Sequence, residues 1–291
     1  MSCIAGYARR VLVIATTPVD ELWRSWSPDP LALAGVAIAV ALFTQGFVRL
    51  RRRNRALVPR SRVWLFAAGI TTILIGIVSP LDTIAEEYLQ SAHMLQHVLI
   101  ADLGVALTLL AVRGPMTVFF LPRDLLVPLA RNRPLRKALA WLVRPSVAIP
   151  LWLGVLIAWH IPTLYEGALR HPVVHRVEHL SFVVVGTLIW TLIIDPARHH
   201  RLSIGERIGV AAVVFWASQI LSYVMVFSFE PFYGLYANQP VRLFGLSPLT
   251  DQKLAGVVMM VEQTLTIGVA AVLLIRASRR SGEPTGWELS P

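Results

Sequence analysis

The chain has 291 residues, of which 55% are hydrophobic and only 15% are charged. Apolar residues in that proportion, gathered into long uncharged stretches, exclude a soluble globular domain of this length. The formal net charge of +10 is concentrated in a few short segments. Basic segments beside anionic lipid headgroups explain such a charge, so we expect contact with membrane lipids and no nucleic-acid partner.

Seven stretches of the sequence are long and apolar enough to cross the hydrocarbon core of a bilayer, which takes roughly 20 helical residues. None of them alternates between apolar and polar residues, as a strand of a membrane barrel would. The predicted fold class is therefore all-α, a polytopic transmembrane helix bundle of seven spans. We expect the spans at about 31–50, 63–79, 92–112, 146–162, 174–194, 207–228 and 254–275.

The basic residues are distributed unequally between alternate loops. Twenty of the 27 Lys and Arg residues fall in 49–62, in 113–145, near Arg198 and after the last span. Because the positive-inside rule places such loops in the cytoplasm, we expect the N-terminus outside and the C-terminus inside. The expected organisation is an extracytoplasmic segment at 1–30, a membrane domain at 31–276 and a polar, disordered cytoplasmic tail at 277–291.

The N-terminal residues 1–17 have an arginine pair before an apolar run, which superficially resembles a signal peptide. The apolar run is shorter than a signal peptide needs and no small-residue cleavage pattern follows, so we expect this segment to be retained. The single cysteine, Cys3, excludes an internal disulfide and a metal site built from several thiolates.

Span 3 begins with the first of two histidine pairs. No helix breaker occurs from Leu81 to Val112, so the sequence predicts one continuous helix there. Helical spacing places Gln90, His93, Met94 and His97 on one face of that helix. Polar side chains at membrane depth are costly and usually functional, which favours a metal site over lipid contact.

A second pair, His175 and His179, lies four residues apart at the start of span 5, and His160 ends span 4. The topology comes from the arginines alone, yet it places most histidines on the outer side. Only His199 and His200 fall on the other side. The six outer histidines are His93, His97, His160, His171, His175 and His179.

Imidazole is the commonest protein ligand for transition metals, and two histidines four apart on a helix can bind one ion together. Thioethers from methionine near the imidazoles, with no thiolate, favour copper over zinc. No nucleophile, acid–base pair or cofactor motif indicates catalysis, so we do not expect an enzyme. The additional or outer-shell candidates are Met94, Gln90, Asp82, Glu178, Met259 and Glu262; the last belongs either to the metal site or to a proton path.

Other interpretations remain open. Single histidines such as His160 and His171 are more simply explained as hydrogen-bonding residues. Bis-histidine haem is the main alternative to copper, with His97 and His179 facing each other from spans 3 and 5. A metal-free assembly scaffold is a third. A shared ion requires these two imidazoles to approach closely, and a separation well over about 10 Å would exclude it.

The chain resembles the multi-span CtaG family of cytochrome c oxidase assembly factors, which is associated with caa-type oxidases. The resemblance rests on SPLDTIAEEYLQSAHMLQH at 79–97, WHIPTLYEGAL and VVHRVEH within 159–179, and LSPLTDQKLAG at 246–256. It implies a protein of the bacterial inner membrane that helps build the oxidase, at the step that fills its copper centre. The implied partners are an oxidase subunit and an extracytoplasmic copper donor. The implied functional positions are His93, His97, His160, His175 and His179.

Overall fold

The structure is a computed structural model that describes residues 17–199 and 201–281, and this part of the chain is helical without any strand. Three expectations therefore concern residues outside the described ones: the retained leader with Cys3, the loop position of His200, and the tail beyond Ser281. The tail was expected to begin at residue 277, and the last helical segment, Val269–Ser281, continues past that point. The bounds of the three segments stay predictions.

Eleven helices of eight or more residues make up most of the described chain. Short helical turns occur between them, at Leu22–Arg24, Arg55–Leu57, Met116–Phe119, Gly234–Ala237 and Leu243–Gly245. The longer helices are α1 (Pro30–Arg53), α2 (Ser61–Val78), α3 (Pro80–Glu87), α4 (Gln90–Ala111), α5 (Arg123–Arg131), α6 (Arg133–Leu142), α7 (Pro145–His160), α8 (Pro162–Arg170), α9 (Pro172–Ile194), α10 (Ile204–Val226) and α11 (Pro248–Arg280).

Six of these helices are long and apolar enough to cross a membrane: α1, α2, α4, α9, α10 and α11. The all-α membrane fold is therefore confirmed. The predicted span at 146–162 corresponds to α7, whose 16 residues extend about 24 Å, less than the roughly 30 Å of a hydrocarbon core. It becomes a seventh span only together with α6, from which it is bent by 67°. The count of seven and the orientation stay predictions.

Several helices begin at a short polar side chain followed by proline. Asp29, Ser79 and Ser247 each accept a hydrogen bond from a backbone amide in the first turn, and the next residue in each case is proline. Proline has no amide hydrogen to leave unsatisfied at this position, and its fixed φ suits the first turn. In α10 the start is a capping box, in which Ser203 and Glu206 each accept from the other's backbone amide.

The continuous helix predicted across α3 and α4 is wrong at one point. Tyr88 and Leu89 leave the helical conformation, although neither residue is a helix breaker. The free backbone amides at the start of α4 are hydrogen-bonded by a residue distant in the chain. The Asp251 carboxylate accepts from the amides of Gln90 at 2.7 Å and Ser91 at 3.1 Å. This contact fixes the N-terminus of α4 against the first turn of α11.

Helix α4 is central in the bundle and contacts α2, α3, α9 and α11, whereas α10 packs on α11 and α7 packs on α9. Helices α4 and α9 come very close together, because a Cβ at Gly186 would lie 2.3 Å from the carbonyl oxygen of Ala101. Ala101 lies in a π-helical segment of α4, Val98–Leu103. This approach brings the two helices that carry the histidine pairs side by side.

Candidate metal centre

Four buried side chains from two helices form a group that can hold a metal ion. His93 and His97 come from α4, and His175 and Glu178 come from α9. One ligand atom from each of the four lies within 4.8 Å of the others. Ligands of one first-row ion lie about 3 to 4 Å apart, since each metal–nitrogen bond is about 2 Å long. Small side-chain rotations therefore suffice to bring these atoms onto one ion.

The two helical pairs face each other, and His179 joins the group. Ring centroids are 4.5 Å apart for His93 and His97, and 4.1 Å apart for His175 and His179. Between the helices, the rings of His97 and His179 are 5.0 Å apart, far inside the limit of about 10 Å set for a shared ion. Spacing of four residues on each helix produces this face-to-face arrangement.

The ring of His93 is oriented by a tyrosine from the loop after α10. The Tyr236 hydroxyl donates its only hydrogen to the carbonyl oxygen of Ala85, at 2.5 Å. Burial raises the pKa of Tyr236 well above its usual value, so the hydroxyl keeps that hydrogen. His93 Nδ1, which is 3.2 Å from the same hydroxyl oxygen, therefore acts as the donor. Its Nε2 is left as the nitrogen with a free lone pair.

Two other histidines are oriented in the same way. His175 Nδ1 lies 2.5 Å from Glu86 Oε1, and His160 Nδ1 donates to the Leu156 carbonyl oxygen at 2.8 Å. A histidine that ligates a metal typically donates its other ring N–H to a carboxylate or a backbone carbonyl. In both residues the Nε2 atom remains available as a ligand.

These available nitrogens are buried and have no hydrogen-bond partner. Unpartnered buried polar atoms are rare in folded proteins because each one costs the lost solvation of that atom. Several such atoms in neighbouring rings form a set of donors, and neutral imidazoles suit a metal cation. The unpartnered ring atoms are Nε2 of His93, His160, His175 and His179, and both Nδ1 and Nε2 of His97.

Glu178 lies closer to the rings than the outer-shell position expected from the sequence. Its Oε1 is 3.4 Å from His97 Nε2, and its Oε2 is 3.8 Å from His93 Nε2. The Oε2 atom has no hydrogen-bond partner and the residue is 1% exposed. The carboxylate therefore occupies the position of a direct ligand among the ring nitrogens.

Asp82 and Gln90 support the centre from outside it. Asp82 accepts hydrogen bonds from Gln96 at 2.5 Å and from Ser27 at 2.6 Å, so it anchors the turn before His97. Burial, with a smaller contribution from the neighbouring Glu86 charge, raises the pKa of Asp82 to about 6. Gln90 contributes its backbone amide to the contact with Asp251, and the nitrogen of its buried side chain has no partner.

The chain matches the family described as cytochrome c oxidase caa3 assembly factor (Caa3_CtaG) over residues 41–281. The match includes both histidine pairs, His160 and Glu178. The chain belongs to this family. Neither the curated proteins nor the solved structures gave a match.

In this member of the caa3 assembly-factor family, part of an aromatic loop covers the centre. Within the loop 229–252, Tyr233 and Tyr236 are buried at the histidine end of the bundle, whereas Phe229 is 91% exposed and Phe244 is 74% exposed. Tyr233 also donates to the backbone carbonyl of His160, at 3.1 Å. The two tyrosines cover the centre, and the two phenylalanines lie at the surface.

Two residues of the assembly factor's centre were not identified from the sequence. Tyr165, on α8, stacks on Tyr233 at 3.9 Å, and its ring centroid is 5.0 Å from that of His93. Glu86, on α3, contacts His175. The sequence could have identified Glu86 by its spacing, because it follows Asp82 by one helical turn and lies on the same side of α3.

The two methionines proposed as ligands lie beside the centre rather than within its four-residue group. Met94 and Met259 line a cavity of about 80 Å³ that extends from His97 and His160 into the bundle, and Glu262 lies at its inner end. The exposed His171 is outside the centre.

Proposed function

We propose that the protein holds a copper ion in the buried histidine–glutamate group and passes it to a subunit of cytochrome c oxidase during assembly. Membership of the assembly-factor family supports the oxidase as the destination. The observation that carries the proposal is the hydrogen bonding of the histidine ring nitrogens. His93, His160 and His175 each use Nδ1 as a donor and keep a buried Nε2 without a partner. This is the arrangement that a metal-ligating histidine needs.

The set of ligands suits an ion that must leave again. Imidazole and carboxylate bind copper without the tight hold of several thiolates, and the sequence has only one cysteine. The four-residue group already supplies the four ligands that a tetrahedral ion takes, and His179 and His160 lie beside it as a surplus. The surplus lets His160 and His179 replace other ligands one at a time, which is a route for ligand exchange. The assembly-factor family favours a non-catalytic role, and nothing in this scheme requires bond-making chemistry.

The positive-inside rule places the histidine end of the bundle on the extracytoplasmic side. A copper donor in that compartment would then load the centre, and the oxidase subunit would receive the ion on the same side. The exposed Phe229 and Phe244 lie in the loop next to the centre and offer an apolar contact for either partner.

The test is the metal content of the purified full-length protein after incubation with copper and removal of unbound ions. The variant His93→Ala/His97→Ala should lose most of the copper that the wild type retains. The matched control is His171→Ala, which changes an exposed histidine whose side chain makes no capping bond. That control should retain wild-type copper.

Three results would contradict the copper proposal in different ways. Equal copper in the wild type and the double variant would remove the histidine pair from the site. An intense Soret absorption band in the purified protein would favour bis-histidine haem, and thus an electron carrier. Full oxidase activity in cells after all five histidines are changed to alanine would favour a metal-free scaffold.

A further inference from the structure

Two carboxyl groups lie next to each other deeper in the bundle than the histidines. The side-chain nitrogen of Gln263 donates to Asp102 Oδ2 and to Glu262 Oε2, at 2.9 Å in both cases. Trp190 donates to the other oxygen of Asp102 at 2.7 Å, and Thr266 donates to the other oxygen of Glu262 at 2.8 Å. Each of the four carboxyl oxygens therefore accepts a hydrogen bond from a neutral donor.

No basic side chain pairs with either carboxyl group among the ion pairs of the described residues. Two negative charges this close in a low-dielectric interior repel strongly, so the pair is stable only when at least one proton is shared between them. The Gln263 side chain supplies an independent indication. Gln263 is 7% exposed and its Oε1, a hydrogen-bond acceptor, has no donor. A protonated carboxyl group supplies the donor that this oxygen lacks.

The carboxyl pair and the metal centre share one cavity. The cavity of about 80 Å³ is lined by His97 and His160 toward the metal centre and by Asp102, Glu262 and Gln263 at its inner end. A single water needs only about 10 to 15 Å³ by the same measure, so the cavity has room for several waters. The titratable groups that line it are these two histidines and these two carboxyl groups. Asp102 follows His97 by five positions in α4, which is a rise of about 8 Å along the helix.

We propose that Asp102 and Glu262 form a proton-binding site that releases its proton when a metal cation enters the histidine centre. The release step rests on the function proposed above. A positive unit charge about 8 Å away favours loss of the proton about thirtyfold at an effective dielectric constant of about 20. The proton passes to solvent through the waters of the cavity, and the carboxylate charge left behind offsets the charge of the incoming ion.

The first experiment counts protons released when copper(II) chloride is added to the purified full-length protein in a weakly buffered solution with a pH indicator. The wild type should release about one more proton per bound ion than Asp102→Asn/Glu262→Gln, while both bind the same amount of copper. The control Asp124→Asn removes an exposed carboxyl group of α5 and should release as many protons as the wild type. Equal proton counts in the wild type and the double variant would overturn the proposal.

A second measurement needs no metal. The infrared carbonyl stretch of a protonated carboxyl group is separate from that of a carboxylate, so it reports the shared proton directly. At neutral pH the wild type should show this band, and the double variant should lack the corresponding intensity. Its absence from the wild type would refute the proton-binding site. A wild type that binds no copper contradicts the proposed function and the release step, whereas the infrared band still decides whether the pair holds a proton.

Discussion

At the scale of single residues, the orientation of the imidazole rings determines whether the centre can bind a metal. His175 is oriented by Glu86, whose Oε1 lies 2.5 Å from Nδ1. A carboxylate in this position fixes the tautomer and makes the opposite nitrogen a stronger ligand. The suitability of His175 as a ligand therefore depends on Glu86, which lies outside the four-residue group.

We predict that Glu86→Gln weakens copper binding by about 10- to 100-fold, the usual effect of losing an outer-shell partner. The amide can still accept a hydrogen bond, but it lacks the charge that strengthens the imidazole. Competition with a coloured copper chelator measures the affinity. Glu230→Gln is the control, because Glu230 is an exposed acid whose side chain is outside the centre. An unchanged affinity in Glu86→Gln would show that this contact does not serve metal binding.

Asp82 gives a prediction about pH. Burial raises its pKa to about 6 in the folded protein, above the ordinary 3.8 of the unfolded chain. Between these two values the folded state binds the proton more readily, so this contribution to stability is present at low pH and is lost as the pH rises through 6. Asp82→Asn should therefore show a weaker fall in unfolding temperature between pH 4 and pH 6 than the wild type, measured by tryptophan fluorescence. Parallel curves would contradict the assignment.

Local spacing explains why some site residues were predictable. His93 and His97, or His175 and His179, share a face because they are four residues apart, and the sequence alone contains that information. The contact of Tyr165 with His93 depends on how the helices pack. Glu178 was recognised as a neighbour of the histidines, but its distance from the rings depends on the approach of α9 to α4.

At the scale of helices, a long-range contact stabilises a helix break where the local sequence predicts a continuous helix. No proline or glycine occurs at the break between α3 and α4. The break is stable because the Asp251 carboxylate accepts from the amides of Gln90 and Ser91, 161 and 160 residues away along the chain. A helix break normally leaves unsatisfied amides, and a distant acceptor removes that cost. Only the tertiary structure contains this information.

The close approach of α4 and α9 gives a prediction at the same scale. Gly186→Ala places a Cβ 2.3 Å from the Ala101 carbonyl oxygen, so the two helices must separate. Because each helix carries half of the centre, we expect loss of copper binding as well as a fall in stability of about 1 to 3 kcal/mol.

Gly209→Ala is the matched control, since Gly209 also lies within a long helix and a Cβ there meets nothing within 4 Å. Alanine is the better helix former by up to about 1 kcal/mol, so this variant should be as stable as the wild type or more stable. Copper content and unfolding temperature are measured for both variants. If Gly186→Ala behaves like Gly209→Ala, the close approach does not position the centre.

At the scale of the whole molecule, hydrophobicity predicted most of the architecture. Six of the expected spans correspond to helices that are long and apolar enough to cross a membrane. The span around α7 was less predictable. Its apolar run begins at a bend of 67° after α6, and hydropathy does not record a change of direction. The orientation depends on arginines in loops and requires its own test.

The chain's single cysteine makes that test direct. In a Cys3→Ser background, we introduce Phe229→Cys near the histidine centre or Arg133→Cys at the start of α6, both at exposed positions. A membrane-impermeant maleimide should label the first variant in intact cells and the second only after the membrane is opened. The reason is that most basic residues lie on the side of Arg133, which the positive-inside rule assigns to the cytoplasm. The reverse labelling would show that the centre lies on the cytoplasmic side, and copper would then have to enter from that side.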